Sequence, residues 1–131
     1  MKILADTNIL ISALIYPNSK PSVALIKAAD KYELILTDYN ISELHRVAAA
    51  KFQSKLPEVD SLLAKLTFEL VSAPIYAQKL IADPKDAPIL NAAILHEVDI
   101  IISGDKHFLE LDMERPKVMK AAEFLEIYGA E

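Results

Sequence analysis

Cysteine is absent from the chain, glycine occurs only twice in 131 residues, and aromatic residues make up 7%. Without cysteine there is no disulfide framework to build, and no secretory leader pattern is visible at the start, so the expectation is a cytoplasmic protein. Long hydrophobic runs are also missing. Although 53% of residues are hydrophobic, the apolar stretches, such as Ile100–Ile102, are far too short to cross a bilayer, and no membrane partner is expected. An excess of basic residues is lacking too: the formal charge is −5. That argues against a protein that coats nucleic acid, a mode that relies on many Lys and Arg contacts to phosphate, but not against an enzyme that acts on nucleic acid through a carboxylate-rich metal site.

What is present is an alternation of short β-type runs with helical patterns along the whole length. At this length one domain over residues 1–131 buries roughly two-thirds of its unfolded surface without covalent staples. Strands are expected at Lys2–Ala5, Glu33–Thr37, Phe68–Ser72, Ile100–Ser103 and near Val118. Most are nearly continuous apolar runs, as befits strands covered by helices on both faces. Helices are expected at Asn8–Leu14, Ser22–Lys31, Ile41–Phe52, Glu58–Leu66, Ala87–Val98 and Ala121–Tyr128, with Tyr16–Pro21 as a loop. The pattern predicts an α/β fold with a parallel sheet.

In such sheets ligands bind outside the carboxyl ends of the strands, near the point where strand order reverses. Asp6 follows the first strand, and Glu43 lies in the helix after the second. Asp86 opens the helix before the fourth strand, and Asp105 follows that strand. If the first and fourth strands are neighbours, these carboxylates share one pocket. A cluster of like charges in reduced dielectric costs several kcal/mol unless a cation sits among them. Mg²⁺ or Mn²⁺, which prefer oxygen donors and keep sites open for phosphate, suit it better than zinc, since cysteine is absent and no histidine lies at a zinc spacing. The chemistry indicated is phosphodiester hydrolysis.

Each acid also has a plainer reading. Asp6 or Asn8 caps the first helix; Asn40-Ile-Ser-Glu43 forms a capping box; Asp86 caps a helix with proline in its first turn; Asp105 after Ser103-Gly104 makes a turn; Asp83 before Pro84 is a turn residue. Position alone does not choose between these readings and the catalytic one.

The residues around the acids resemble the PIN-domain family, including the toxins of VapC-type toxin–antitoxin pairs. The resemblance runs in order through "ADTNILISAL", "ISEL", "DPKDAPILNAAI" and "IIISGDKHFLEL", where Asp105 and Phe108 match a Thr-x-Asp-x-x-Phe pattern with Ser103 in place of threonine. It implies a three-layer α/β/α sandwich with a central parallel sheet of four or five strands, an Mg²⁺ or Mn²⁺ site and cleavage of single-stranded RNA. It also implies that Asp6, Glu43, Asp86 and Asp105 hold metal, with Asn8 and Ser103 supporting them by hydrogen bonds.

Arg46 and Lys106 are candidate RNA contacts, although an ion pair between Arg46 and Glu43 at helical spacing is an equal alternative. His45 and His107 are surface histidines or proton shuttles. The first helix, with Ile9, Leu10, Ile11, Leu14 and Ile15, carries apolar surface that either is buried within the domain or offers a partner surface. The resemblance implies a homodimer and a small antitoxin protein. Two other classes compete: a PIN-like scaffold that has lost catalysis, and a receiver-type phosphotransfer domain. The second wants paired acids after the first strand and a lysine after a late strand, and "LADTN" has a single acid.

Overall fold

The apolar run Lys2–Ala5 forms β1, and its neighbours follow the same logic: β2 spans Glu33–Thr37, β3 Glu69–Val71, β4 Ile100–Ile102 and β5 Lys117–Met119. The computed structural model describes residues 1–74 and 87–129. Helices α1 (Thr7–Ile15), α2 (Lys20–Lys31), α3 (Asp38–Lys51), α4 (Leu56–Lys65), α5 (Ala87–Leu95), α6 (Lys106–Leu109) and α7 (Ala121–Tyr128) alternate with the strands. All strand pairs are parallel, in the order β3-β2-β1-β4-β5. The α/β reading is thus realised as one five-stranded sheet between helical layers.

Alternation along the strands divides the core. Ile3, Ala5, Leu34, Leu36, Ile100 and Ile102 face the layer built from α1, α2, α3, α4 and α7. Leu4, Ile35, Ile101 and Val71 face the other side, where Ile89, Leu90, Ala93 and Phe108 of α5 and α6 cover them. Strands buried on both faces are filled with apolar residues, and in β1 and β4 the first acid, Asp6 or Asp105, comes only past the carboxyl end.

Several boundaries depart from the sequence expectation. α3 begins at Asp38 rather than Ile41, because Thr37 caps it: Thr37 Oγ1 accepts the Asn40 backbone N–H at 2.9 Å, and Asn40 Oδ1 accepts the Thr37 N–H at 3.0 Å. The capping box is therefore Thr37-x-x-Asn40, not Asn40-x-x-Glu43, and Glu43 is released from the structural task that the sequence offered it. Pro21 lies in the first turn of α2, where its missing N–H costs nothing, so the loop ends at Ser19, which caps the helix. α5 stops at Leu95 instead of Val98; the chain turns through Glu97, whose φ of 55° is left-handed. α6 and a 3₁₀ turn at Gln53–Lys55 are single turns that carry no periodic signal.

Most of the apolar residues of α1 prove to be core. Ile9, Leu10 and Leu14 are buried, and Ile11 packs against them. The exposed apolar side chains lie elsewhere, among them Val23 and Ile26 on the outer face of α2.

Candidate metal centre at the carboxyl ends of β1 and β4

The order β3-β2-β1-β4-β5 reverses direction between β1 and β4, so the crevice of this sheet opens there. Asp6 stands at that point. Its backbone N–H extends the ladder by bonding to Ile102 O at 3.0 Å, which fixes the residue against β4. Although it occupies the N-cap position of α1, its side chain makes no cap hydrogen bond. Asn8, already the second residue of α1, lies exposed and does not cap it either. The carboxylate instead accepts a hydrogen bond from Ser103 Oγ at 2.8 Å, across the gap between the two strand ends.

Asp6 is 2% exposed, and its pKa is raised from 3.8 to about 6. Burial is the largest cause; Asp105 and Glu43 add repulsion, while the Ser103 hydroxyl and the Thr7 N–H pull the other way. Two of the other acids singled out in the sequence, Asp105 and Glu43, therefore lie near enough to act on Asp6 at the switch point. Asp86 lies outside the described residues, as does Asp83.

Glu43 lies one turn into α3 with its side chain 16% exposed, and it pairs with Arg46 at 3.4 Å, whose side chain is 67% exposed. The ion-pair alternative for Arg46 is thus present in the structure. Asp105 caps α6: its Oδ1 accepts the His107 N–H at 2.8 Å and lies 3.2 Å from His107 Nδ1. One oxygen of Asp105 thus serves the turn, as its plainer reading held. Ser103 Oγ also accepts the Asp105 N–H at 3.0 Å, so one hydroxyl ties both acids together. Lys106 is exposed beside them. His45 bridges from Ile41 O on α3 to Asp60 on α4, at 2.9 and 3.3 Å, a link between helices rather than part of the crevice.

Among the described residues no three His, Asp or Glu side chains close on one ion-sized point. The donor set nevertheless fits Mg²⁺ or Mn²⁺, which are usually held by one or two carboxylates with water making up the rest of the shell. A buried carboxylate with two further carboxylates nearby and a neutral hydroxyl as its side-chain hydrogen-bond donor is an environment that a divalent cation relieves. Ser103→Ala removes a bond that favours ionised Asp6. The Asp6 pKa should then rise above about 6, as read by carboxyl NMR of metal-free protein; a value at or below that of the wild type would contradict this account.

The sequence did not point to Thr7 and Asn40. Asn40 Nδ2 donates to Thr7 Oγ1 at 3.0 Å, joining two residues 33 positions apart, both buried. A threonine closing a strand with asparagine three residues later is the local signal that could have marked the cap, but the reach to Thr7 has no local signal.

The model of the PIN domain family matches residues 2–107. No curated protein shows significant sequence similarity to the chain. Among solved structures, the fold is similar to a chain in the crystal structure of VapBC2 from Rickettsia felis bound to a DNA fragment from their promoter. The TM-score is 0.72 at 16% identity, covering 92% of this chain and 98% of that one. The match of fold, the acids gathered at the switch point and the family model over most of the sequence agree, and the chain belongs to the PIN-domain family.

Proposed function

We propose that the protein is a divalent-metal-dependent endoribonuclease that hydrolyses single-stranded RNA in the cytoplasm, and that it is the toxin of a type II toxin–antitoxin pair. The observation that carries the reading is buried Asp6 at the crevice of the sheet, with Glu43 and Asp105 close enough to raise its pKa. PIN domains are in general nucleases that use divalent metal, which supports the assignment. Asp6, Glu43 and Asp105 would hold Mg²⁺ or Mn²⁺, with Asp86 as a fourth acid on the strength of its motif. The metal, when bound, activates water for attack on phosphorus and neutralises charge on the leaving oxygen. Ser103 orients Asp6 through its hydroxyl, and the exposed cations Arg46 and Lys106 offer contacts to the RNA backbone.

The similar chain belongs to a VapBC2 assembly on promoter DNA, which supports an antitoxin protein as partner here; a homodimer belongs to the same proposal. Val23 and Ile26, both nearly half exposed on α2, provide apolar surface for such a contact.

The test is cleavage of a mixed single-stranded RNA pool by purified protein with Mn²⁺ or Mg²⁺, against EDTA and against Asp6→Asn. Metal-dependent cleavage that disappears in the variant is the expected result. Metal binding without any cleavage would move the site to the scaffold reading.

A further inference from the structure

Two acids of the crevice come from different helix starts, and one buried side chain joins those starts. Asn40 is fully buried at the third position of α3, and its amide oxygen is saturated: it accepts from the Thr37 N–H at 3.0 Å and from Thr37 Oγ1 at 2.9 Å. Those bonds complete the cap of α3 and fix the amide's orientation, since a flipped group would set donor against donor. The amide nitrogen is therefore surplus to capping. It reaches from the end of β2 to the end of β1, donating to Thr7 Oγ1 at 3.0 Å. Thr7 opens α1, is 3% exposed, and directly follows Asp6 in the chain. Glu43 follows Asn40 by three residues and so shares its face of α3. A continuous path runs from Glu43 through the first turn of α3, the Asn40 amide and Thr7 to Asp6. With the Asp6–Ser103–Asp105 links, it ties together the carboxyl ends of β2, β1 and β4.

We propose that Asn40 is a positioning residue: its carboxamide locks the start of α3 to the start of α1, so that Glu43 and Asp6 keep the separation that a shared cation requires. The inference rests on the metal reading of the crevice. It goes beyond that reading by assigning the site's geometry to a hydrogen bond between two neutral residues that bind no metal. A residue that only capped α3 would have no need of Thr7.

Thr7→Val separates the two roles, because it removes the acceptor while leaving the Thr37–Asn40 cap intact and conserving volume. Thr7→Ala serves if the valine variant does not fold, and Thr7→Ser restores the hydroxyl. Two readouts are taken on folded protein: exchange protection of the Asn40 side-chain amide by NMR without metal, and Mn²⁺ affinity by calorimetry. The expected result is that Thr7→Val loses amide protection and binds Mn²⁺ about tenfold more weakly, the scale typical of residues that orient metal ligands, while Thr7→Ser stays near wild type. Wild-type Mn²⁺ affinity in a valine variant that has lost amide protection would overturn the positioning role and leave the metal reading standing. A wild-type protein that binds no Mn²⁺ would overturn both.

Discussion

Asp6→Asn is expected to make the metal-free protein more stable at pH 8 by up to about 3 kcal/mol, while abolishing cleavage. The sign follows from the direction of the shift. Folding raises the Asp6 pKa from 3.8 to about 6, so the native state holds a proton that the unfolded chain releases. Stability from this residue is complete below pH 3.8, is lost progressively up to about 6, and stays lost above, a difference of about 3 kcal/mol at about 1.4 kcal/mol per pH unit. The site is 2% exposed, so solvent screening does little to reduce the figure. Asparagine keeps an acceptor for Ser103 Oγ and removes the charge. The variant's advantage should vanish near pH 4 and shrink again when Mn²⁺ is added to the wild type at pH 8, because the cation stabilises ionised Asp6. Urea denaturation at both pH values checks it; a destabilised Asn variant at pH 8 without metal would contradict it. The loss of activity should be about 10³-fold, since an electrostatic contribution of several kcal/mol to the transition state goes with the carboxylate.

Phe108→Ala should produce the largest loss of stability, about 3–5 kcal/mol. Phe108 is fully buried among Leu4, Ile101 and Leu90 on the α5 and α6 side of the sheet, and it is the one buried residue of α6. α6 is a single turn of four residues with Asp105 as its cap, too short to persist without that anchor. The substitution should lower Tm by roughly 10–15 °C for a chain of this size. It should also reduce Mn²⁺ affinity in protein that is still folded, because Asp105 loses the turn that orients it. A fall in Tm with unchanged affinity would mean that Asp105 is held by Ser103 alone.

The acids at the ends of β1 and β4 were legible because these strands, buried on both faces, run through apolar residues to their carboxyl ends. Asp6 after Leu4-Ala5 and Asp105 after Ile102-Ser103-Gly104 stood out for that reason, and the neighbouring motifs supplied the family. β1, β2 and α7 follow their expected bounds. The start of α3 did not, because Asp38-Tyr39-Asn40 reads locally as a turn and the cap, Thr37, is also the last residue of a strand. The same confusion hid the capping box and made Glu43 look structural. α6 has one turn, too little for a helical period to show. The Asn40–Thr7 bond depends on two strands lying side by side, a fact of topology that no window of sequence contains.

The central claim is that Asp6, Glu43 and Asp105 form one divalent-metal site, and the most direct measurement is Mn²⁺ binding by calorimetry as a function of pH. The account predicts binding that weakens as pH falls below about 6, where Asp6 takes up its proton, and that is lost in Asp6→Asn. Mn²⁺ affinity that is unchanged from pH 8 to pH 5, or undiminished in Asp6→Asn, would contradict it.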